Sequence, residues 1–444
     1  MEPVTGFDYF PVEFDKFAHP SARNDVQQRA LDSRLESGKI TDLLVISHGW
    51  NNDMLEAENL YHELLSNMRK LLDKARFPQL AGRTFAVLGV LWPSKKFADE
   101  DLIPSGAAGI VNTVAVDTVR DQLTALRGAF DADDADEKLT QLQGLLPKLD
   151  DSSKSRRQFV EICRSLVIVR SEDKEAQSTT FFETPDALEV FERLQQPTSF
   201  ISNDAPATEL GGAQGIAESQ GEAAGLADFF SGPISAARNI LNYTTYYQMK
   251  ERAGLVGSQG VNPWLRTVRE KHPELRIHVI GHSFGCRLVT ATLAGKDAHS
   301  VVKVNSMSLL QAAFSHHAFS ANWNGKGGQG FYLRVVQQCA VSGPVVITHT
   351  VNDKAVGVAY PIASLLAGQD AAGLGDKDSA YCGLGRNGAQ KSQALEMVLA
   401  KGGGSYSLQK GKLHNFLADA CIENHGDVRN ESVAALVLAA IAAG

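Results

Sequence analysis

The chain is poor in cysteine: five in 444 residues, at positions 163, 286, 339, 382 and 421. An odd number at irregular spacing does not make a disulfide framework, so free thiols in a reducing compartment are expected. No His, Cys, Asp or Glu cluster has the spacing of a metal site, and no metal is expected. Positive charge is also in deficit, with 43 Lys and Arg against 51 Asp and Glu and a formal net charge of −8. No basic stripe with interleaved aromatics is present, so nucleic acid is not an expected partner. Long apolar runs are missing too. The run from Val433 to Ala442 is too short to cross a bilayer and fits a packed helix, so no integral membrane segment is expected. Met1-Glu2-Pro3-Val4-Thr5-Gly6-Phe7-Asp8 has neither the basic start nor the apolar core of a secretory signal. The expected location is therefore cytoplasmic, with export by a route needing no N-terminal signal left open. Gly-Leu-Gly occurs at 373–375 and 383–385, but neither copy follows a strand as a dinucleotide-binding turn must, and no cofactor is expected.

What the chain has is ordinary globular composition, 43% apolar and 21% charged, arranged in three blocks. Residues 1–94 carry strand–helix–strand patterning. Leu43 to Ser47 is an unbroken apolar run of the kind buried on both faces in a parallel sheet. Leu60, Leu64, Met68 and Leu71 follow at helical spacing, and the next strand is Phe85 to Trp92, closed by Pro93. Such alternation marks an α/β sheet with parallel crossovers. Residues 95–240 lose that alternation. Helices are expected around Val116–Phe130, Leu139–Leu149, Phe159–Val169 and Leu188–Leu194. A Gly/Ala/Ser/Gln/Glu-rich linker is expected at 203–227. The block reads as a helical insertion, either a cap over a site or a docking domain. Residues 241–444 resume the core with a helix at Ile240–Arg252 and a second at Pro263–Lys271. Strands are expected at Arg276–Ile280, Val302–Leu310, Val345–Thr350 (the penultimate) and Leu413–Leu417, and a final helix at Glu431–Ala443.

One stretch organises the rest. Ile277, Val279 and Ile280 form a short strand that meets Gly281-His282-Ser283-Phe284-Gly285, and Cys286 to Ala294 reads as a buried helix. A serine between strand and helix on so sharp a turn needs small residues on both sides, which the two glycines supply. Cys286 begins the helix and is expected to pack inside it.

On this Gly-His-Ser-Phe-Gly elbow the sequence resembles the α/β-hydrolase superfamily of serine hydrolases, over most of the chain outside 95–240. The resemblance implies a mostly parallel sheet with helices on both faces. It also implies a triad in the order Ser, acid, His, with the acid after the penultimate strand and the histidine after the last. Ser283 is then the nucleophile. Asp353, just past Thr350, is the expected acid; an Asx-turn residue starting a helix is the plainer reading of the same position. No Asp or Glu follows the preceding strand, where Gln311 stands. Asp370, Asp376 and Asp378 are poorer choices. His425, between the last strand and the last helix with Asp427 able to cap that helix, is the expected base; His414 is the rival but lies within the strand. Oxyanion donors are expected from the N–H of Phe284 and from His48-Gly49-Trp50, at the N–H of Trp50 or of Gly49. Trp50 and His282 are expected to wall the substrate pocket.

The expected activity is hydrolysis of small-molecule or lipid carboxylic esters through an acyl-enzyme. An amidase or peptidase with the same triad is the alternative within the class. A non-catalytic binding protein on a hydrolase scaffold is the alternative outside it.

Overall fold

The computed structural model describes residues 6–444 except 51, 95–110, 169–180, 196–231, 354–355, 357–376 and 378–381. The expected linker at 203–227 and the rival acids Asp370, Asp376 and Asp378 lie outside the described residues. The chain divides into two compact units: Met1–Lys95, Lys250–Gly357 and Gly375–Gly444 form the first, and Lys96–Met249 with Val358–Leu374 form the second.

In the first unit, β1 (Asp8–Glu13), α1 (Asn24–Glu36), β2 (Asp42–Ser47), α2 (Met54–Asp73) and β3 (Phe85–Leu91) come first. The second unit contributes α3 (Val111–Ala125), α4 (Ala135–Leu145), α5 (Ser153–Leu166) and α6 (Ala187–Arg193). Within it Phe159 of α5 meets Phe191 of α6 edge to face at 6.3 Å. The helix α7 (Pro233–Leu255) spans the boundary between the units. The first unit then continues with α8 (Asn262–Lys271), β4 (Arg276–His282), α9 (Phe284–Ala294), β5 (Ser306–Leu310), α10 (Leu333–Gln337) and β6 (Val345–His349). It ends with α11 (Leu384–Asn387), β7 (Leu395–Val398), β8 (Leu413–Leu417) and α12 (Glu431–Ala443).

Eight strands form one sheet in the order β1-β3-β2-β4-β5-β6-β8-β7, and every pairing is parallel. The fold is α/β, and the sheet is wholly parallel where a mostly parallel one was expected. All six residues of β2 and all seven of β3 are buried, as strands covered on both faces must be. Alternate residues face opposite ways. Leu44, Ile46, Val87, Ile280, Leu310 and Phe416 share one core with Tyr61, Leu64 and Met68 of α2 and Val433, Leu436 and Ile441 of α12. The helix α9 packs on β4 and β2. A one-turn π-helix, Val256–Val261, lies beside it. There Gly257 lets two backbones meet, since a Cβ would stand 2.2 Å from the Leu288 carbonyl oxygen.

Three details depart from the sequence reading. The strand expected from Val302 begins at Ser306. The short edge strand β7 was not expected and makes β6 the third from last in the chain. Asn430, and not Asp427, caps α12, its Oδ1 accepting from the Val433 N–H at 3.1 Å. Among the described residues no helix is long and apolar enough to cross a membrane.

At the amino ends of β2 and β4 lies a buried ion pair. Asp42 Oδ2 accepts from Arg83 Nε at 2.9 Å, and Asp42 Oδ1 lies 3.0 Å from His278 Nε2. Burial pushes the Asp42 carboxyl up, but its bonds to His278 and Arg83 outweigh that and hold it at about 2.

Candidate active site

The carboxyl end of β4 turns directly into α9, and Ser283 sits on the turn. Its φ of 55° and ψ of −123° place a non-glycine residue in a strained region, at a cost on the order of 1–3 kcal/mol. Hydrogen bonds tie the turn down. The Ser283 N–H donates to the Leu310 carbonyl at 3.1 Å, and the Ser283 carbonyl accepts from Cys286 at 3.1 Å and Ala313 at 3.2 Å. The glycines on either side are steric requirements. A Cβ on Gly281 would stand 2.5 Å from Cys286 Cα, and one on Gly285 would stand 2.2 Å from the Ser47 carbonyl oxygen. Cys286 is fully buried, its thiol donating to the Gly281 carbonyl at 3.0 Å, and burial holds the thiol protonated.

The loop after β2 comes against this serine. A Cβ on Gly49 would lie 2.5 Å from Ser283 Cβ and 3.1 Å from its Oγ, so only glycine allows the approach. His48 beneath it is a structural anchor: its Nε2 accepts from the Trp92 N–H at 3.2 Å, and its ring stacks on Trp92 at 5.5 Å. Burial lowers its pKa to about 4, so it is neutral. The Trp50 ring lies 6.1 Å from that of Phe284. Both expected oxyanion donors are thus carried by residues that pack together beside the nucleophile.

His425 Nδ1 and Asp353 Oδ2 are 2.8 Å apart. Asp353 is fully buried and every described partner orients it: Oδ2 also accepts from Gln311 Nε2 at 3.0 Å, and Oδ1 accepts from the Val356 N–H at 2.9 Å. The second of these is the capping bond of the plainer reading, and it uses a different oxygen from the one that meets His425. With Nδ1 facing the carboxylate, Nε2 is the ring nitrogen of His425 left for another partner. The imidazole is beside the elbow, its ring 5.0 Å from that of His282.

Neither a protein-family model, nor a curated protein, nor a solved structure matches this chain. The chemistry of the site therefore rests on its own residues.

Ser283, Asp353, His425, Gly49, Trp50 and Phe284 come from four separate stretches and converge at the carboxyl edge of the sheet. His414 does not join them. It is buried in β8, with Nε2 accepting from the Gln409 N–H at 3.0 Å. His282, expected to touch substrate, is instead 7% exposed and directed at the base loop. Its Nε2 donates to the His425 carbonyl at 2.9 Å, and its Nδ1 has no hydrogen-bond partner. Burial, reinforced by His425 nearby, lowers its pKa to about 3. Gln311 is the residue the sequence reading passed over. It has a φ of 47° at the end of β5, and its side chain also donates to the Gly385 carbonyl at 3.1 Å. Its only sequence signal was its place after a strand. Among the described residues no group of three or more His, Cys, Asp or Glu is disposed to hold a metal ion.

Proposed function

We propose that the protein is a serine hydrolase of the α/β-hydrolase type that cleaves carboxylic esters through an acyl-enzyme. The observation that carries the reading is the 2.8 Å contact of His425 Nδ1 with the buried Asp353 carboxylate, beside a serine held at positive φ. A serine hydroxyl is a poor nucleophile until a base takes its proton. In this reading Ser283 Oγ attacks the acyl carbon as His425 Nε2 accepts the proton, and His425 returns that proton to the departing alcohol. Asp353 fixes the tautomer and stabilises the imidazolium. The N–H groups of Phe284 and of Trp50 or Gly49 receive the negative oxygen; one such donor is worth about 2.7–4 kcal/mol of barrier. Water then attacks the acyl-enzyme with His425 again as base, releasing the acid and free Ser283.

The test is turnover of a p-nitrophenyl ester by the full chain and by Ser283→Ala. Hydrolysis and fluorophosphonate labelling are expected in the first and absent in the second, with unchanged circular dichroism. Full activity in Ser283→Ala refutes the assignment. A peptide and anilide panel separates an ester hydrolase from an amidase, which needs the same three residues. Failure of labelling in the unaltered chain favours a binding protein on this scaffold. The helical second unit is proposed as the cap that sets acyl-chain preference, and detergent activation on long-chain esters is its expected signature.

A further inference from the structure

A cavity of about 270 Å³ opens at the carboxyl ends of β6, β8 and β7, and Ser283, Asp353 and His425 do not line it. Open parallel sheets bind ligands at this edge. His349, the last residue of β6, lines the cavity and is 3% exposed. Its Nε2 has no hydrogen-bond partner among the described residues. Burial keeps the ring neutral, and in the tautomer with its proton on Nδ1 the ring offers the Nε2 lone pair to the cavity. Glu396 stands beside it, Oε2 at 3.9 Å from that nitrogen, its Oε1 held by Asn415 Nδ2 at 2.8 Å. The cavity is also lined by two cations, Lys377 and Arg386, the latter anchored by Nη1 donating to the Val351 carbonyl at 2.9 Å. Asn387 and four apolar residues complete the lining. Val351, Val398 and Leu417 are 58%, 65% and 37% exposed, and are three of the eight exposed large hydrophobics among the described residues. Isolated exposed apolar side chains are normal, but three around one cavity mark a contact surface.

We propose that this cavity is a binding site for a free apolar α-amino acid, its ammonium received by His349 Nε2 and Glu396, its carboxylate by Arg386 and Lys377, and its side chain by Val351, Val398 and Leu417. An acceptor lone pair next to a carboxylate calls for a cationic donor, and the two cations call for an anion. A zwitterion satisfies both, whereas a simple anion would meet Glu396 with like charge. The site is independent of the hydrolase reading and stands if that reading fails.

The test is calorimetric titration of the full chain with L-leucine, and with N-acetyl-L-leucine and L-leucinamide, which lack the ammonium and the carboxylate charge respectively. Saturable binding of L-leucine is expected, about tenfold or more weaker for each analogue, tenfold being about 1.4 kcal/mol. Glu396 is an exposed side chain, so Glu396→Gln keeps the fold and is expected to weaken L-leucine to a similar degree. Ser283→Ala is expected to bind as the unaltered chain does. The proposal is overturned by no saturable binding of L-leucine, by equal binding of either analogue, or by unchanged affinity in Glu396→Gln.

Discussion

At the scale of single residues, the candidate site depends on side chains that would touch no substrate. His282 ties the backbone of the base loop to the residue before the nucleophile through one hydrogen bond. A bond of this kind contributes about 0.5–1.5 kcal/mol net, so its loss is expected to lower kcat up to roughly tenfold. His282→Phe keeps a ring of similar size without the donor, and His282→Gln restores a donor. The expected outcome is a fall in kcat at little-changed KM for the first and partial recovery for the second. Equal values for both variants would show that His282 only fills space. Gln311 acts on the acid in the same way, and Gln311→Glu would set a carboxylate against Asp353 Oδ2. Two carboxylates at that distance cannot both ionise freely. Ester turnover by that variant is expected to be lower than by Gln311→Leu and to improve as pH falls and one group protonates, the reverse of the rise with pH that a histidine base gives. Neither residue carries a motif. Their contacts exist only once β4, β5 and the loop of His425 are brought together, which is why the sequence reading, expecting Ser283, Asp353 and His425, gave Gln311 no role and gave His282 a different task.

At the scale of elements, the elbow leaves no room for a side chain on either glycine. Gly285 approaches the backbone of β2, not a side chain that could swing aside. Overpacking of this kind costs about 1–3 kcal/mol, occasionally more. Gly285→Ala is expected to lower the urea midpoint and abolish ester turnover together, whereas Ser283→Ala removes turnover alone; an unshifted midpoint would show that the turn relaxes freely. The same local logic explains which elements were legible. The strands β2 and β3 are largely continuous apolar runs because both their faces are covered, and α2 and α12 have their stripes set by the core between them. By contrast β7 is four residues, Leu395–Val398, at the sheet edge, where no residue is fully buried. With so little apolar pattern it reads as loop. Val302 and Val304 are buried without belonging to a strand, and their apolar character alone extended the expected strand too far.

At the scale of the molecule, buried neutral histidines couple stability to pH. His48 and His282 have folded-state pKa values of about 4 and about 3, below the unfolded value of about 6.5. His278, His349 and His414 are lowered as well, chiefly by burial. A lowered histidine means that the unfolded chain binds the proton first, so its contribution is complete above pH 6.5 and is lost as pH falls toward 4 and 3. Each group contributes a slope of about 1.4 kcal/mol per pH unit. From His48 and His282 alone, stability is expected to drop by about 3 kcal/mol between pH 6.5 and 5, the full slope being reached only below the unfolded value. Asp42 has no part in that range, since a carboxylate lowered to about 2 loses its contribution only below about pH 3.8. Urea unfolding at pH 7.5, 6 and 5 measures the drop, and a flat series would mean that these rings take up protons without unfolding.

The sheet order also governs how the polypeptide emerges during synthesis. The central strand β2 pairs on one side with β3, which follows it closely, and on the other with β4, whose first residue is 185 positions beyond the end of β3 (276 − 91). At ribosomal rates of about 5–20 residues per second, that leaves roughly 10–40 s in which one margin of an apolar strand has no neighbour. Until Arg276–His282 leaves the exit tunnel, one margin of Leu43–Ile46 is an adhesive ribbon open to pairing with another chain.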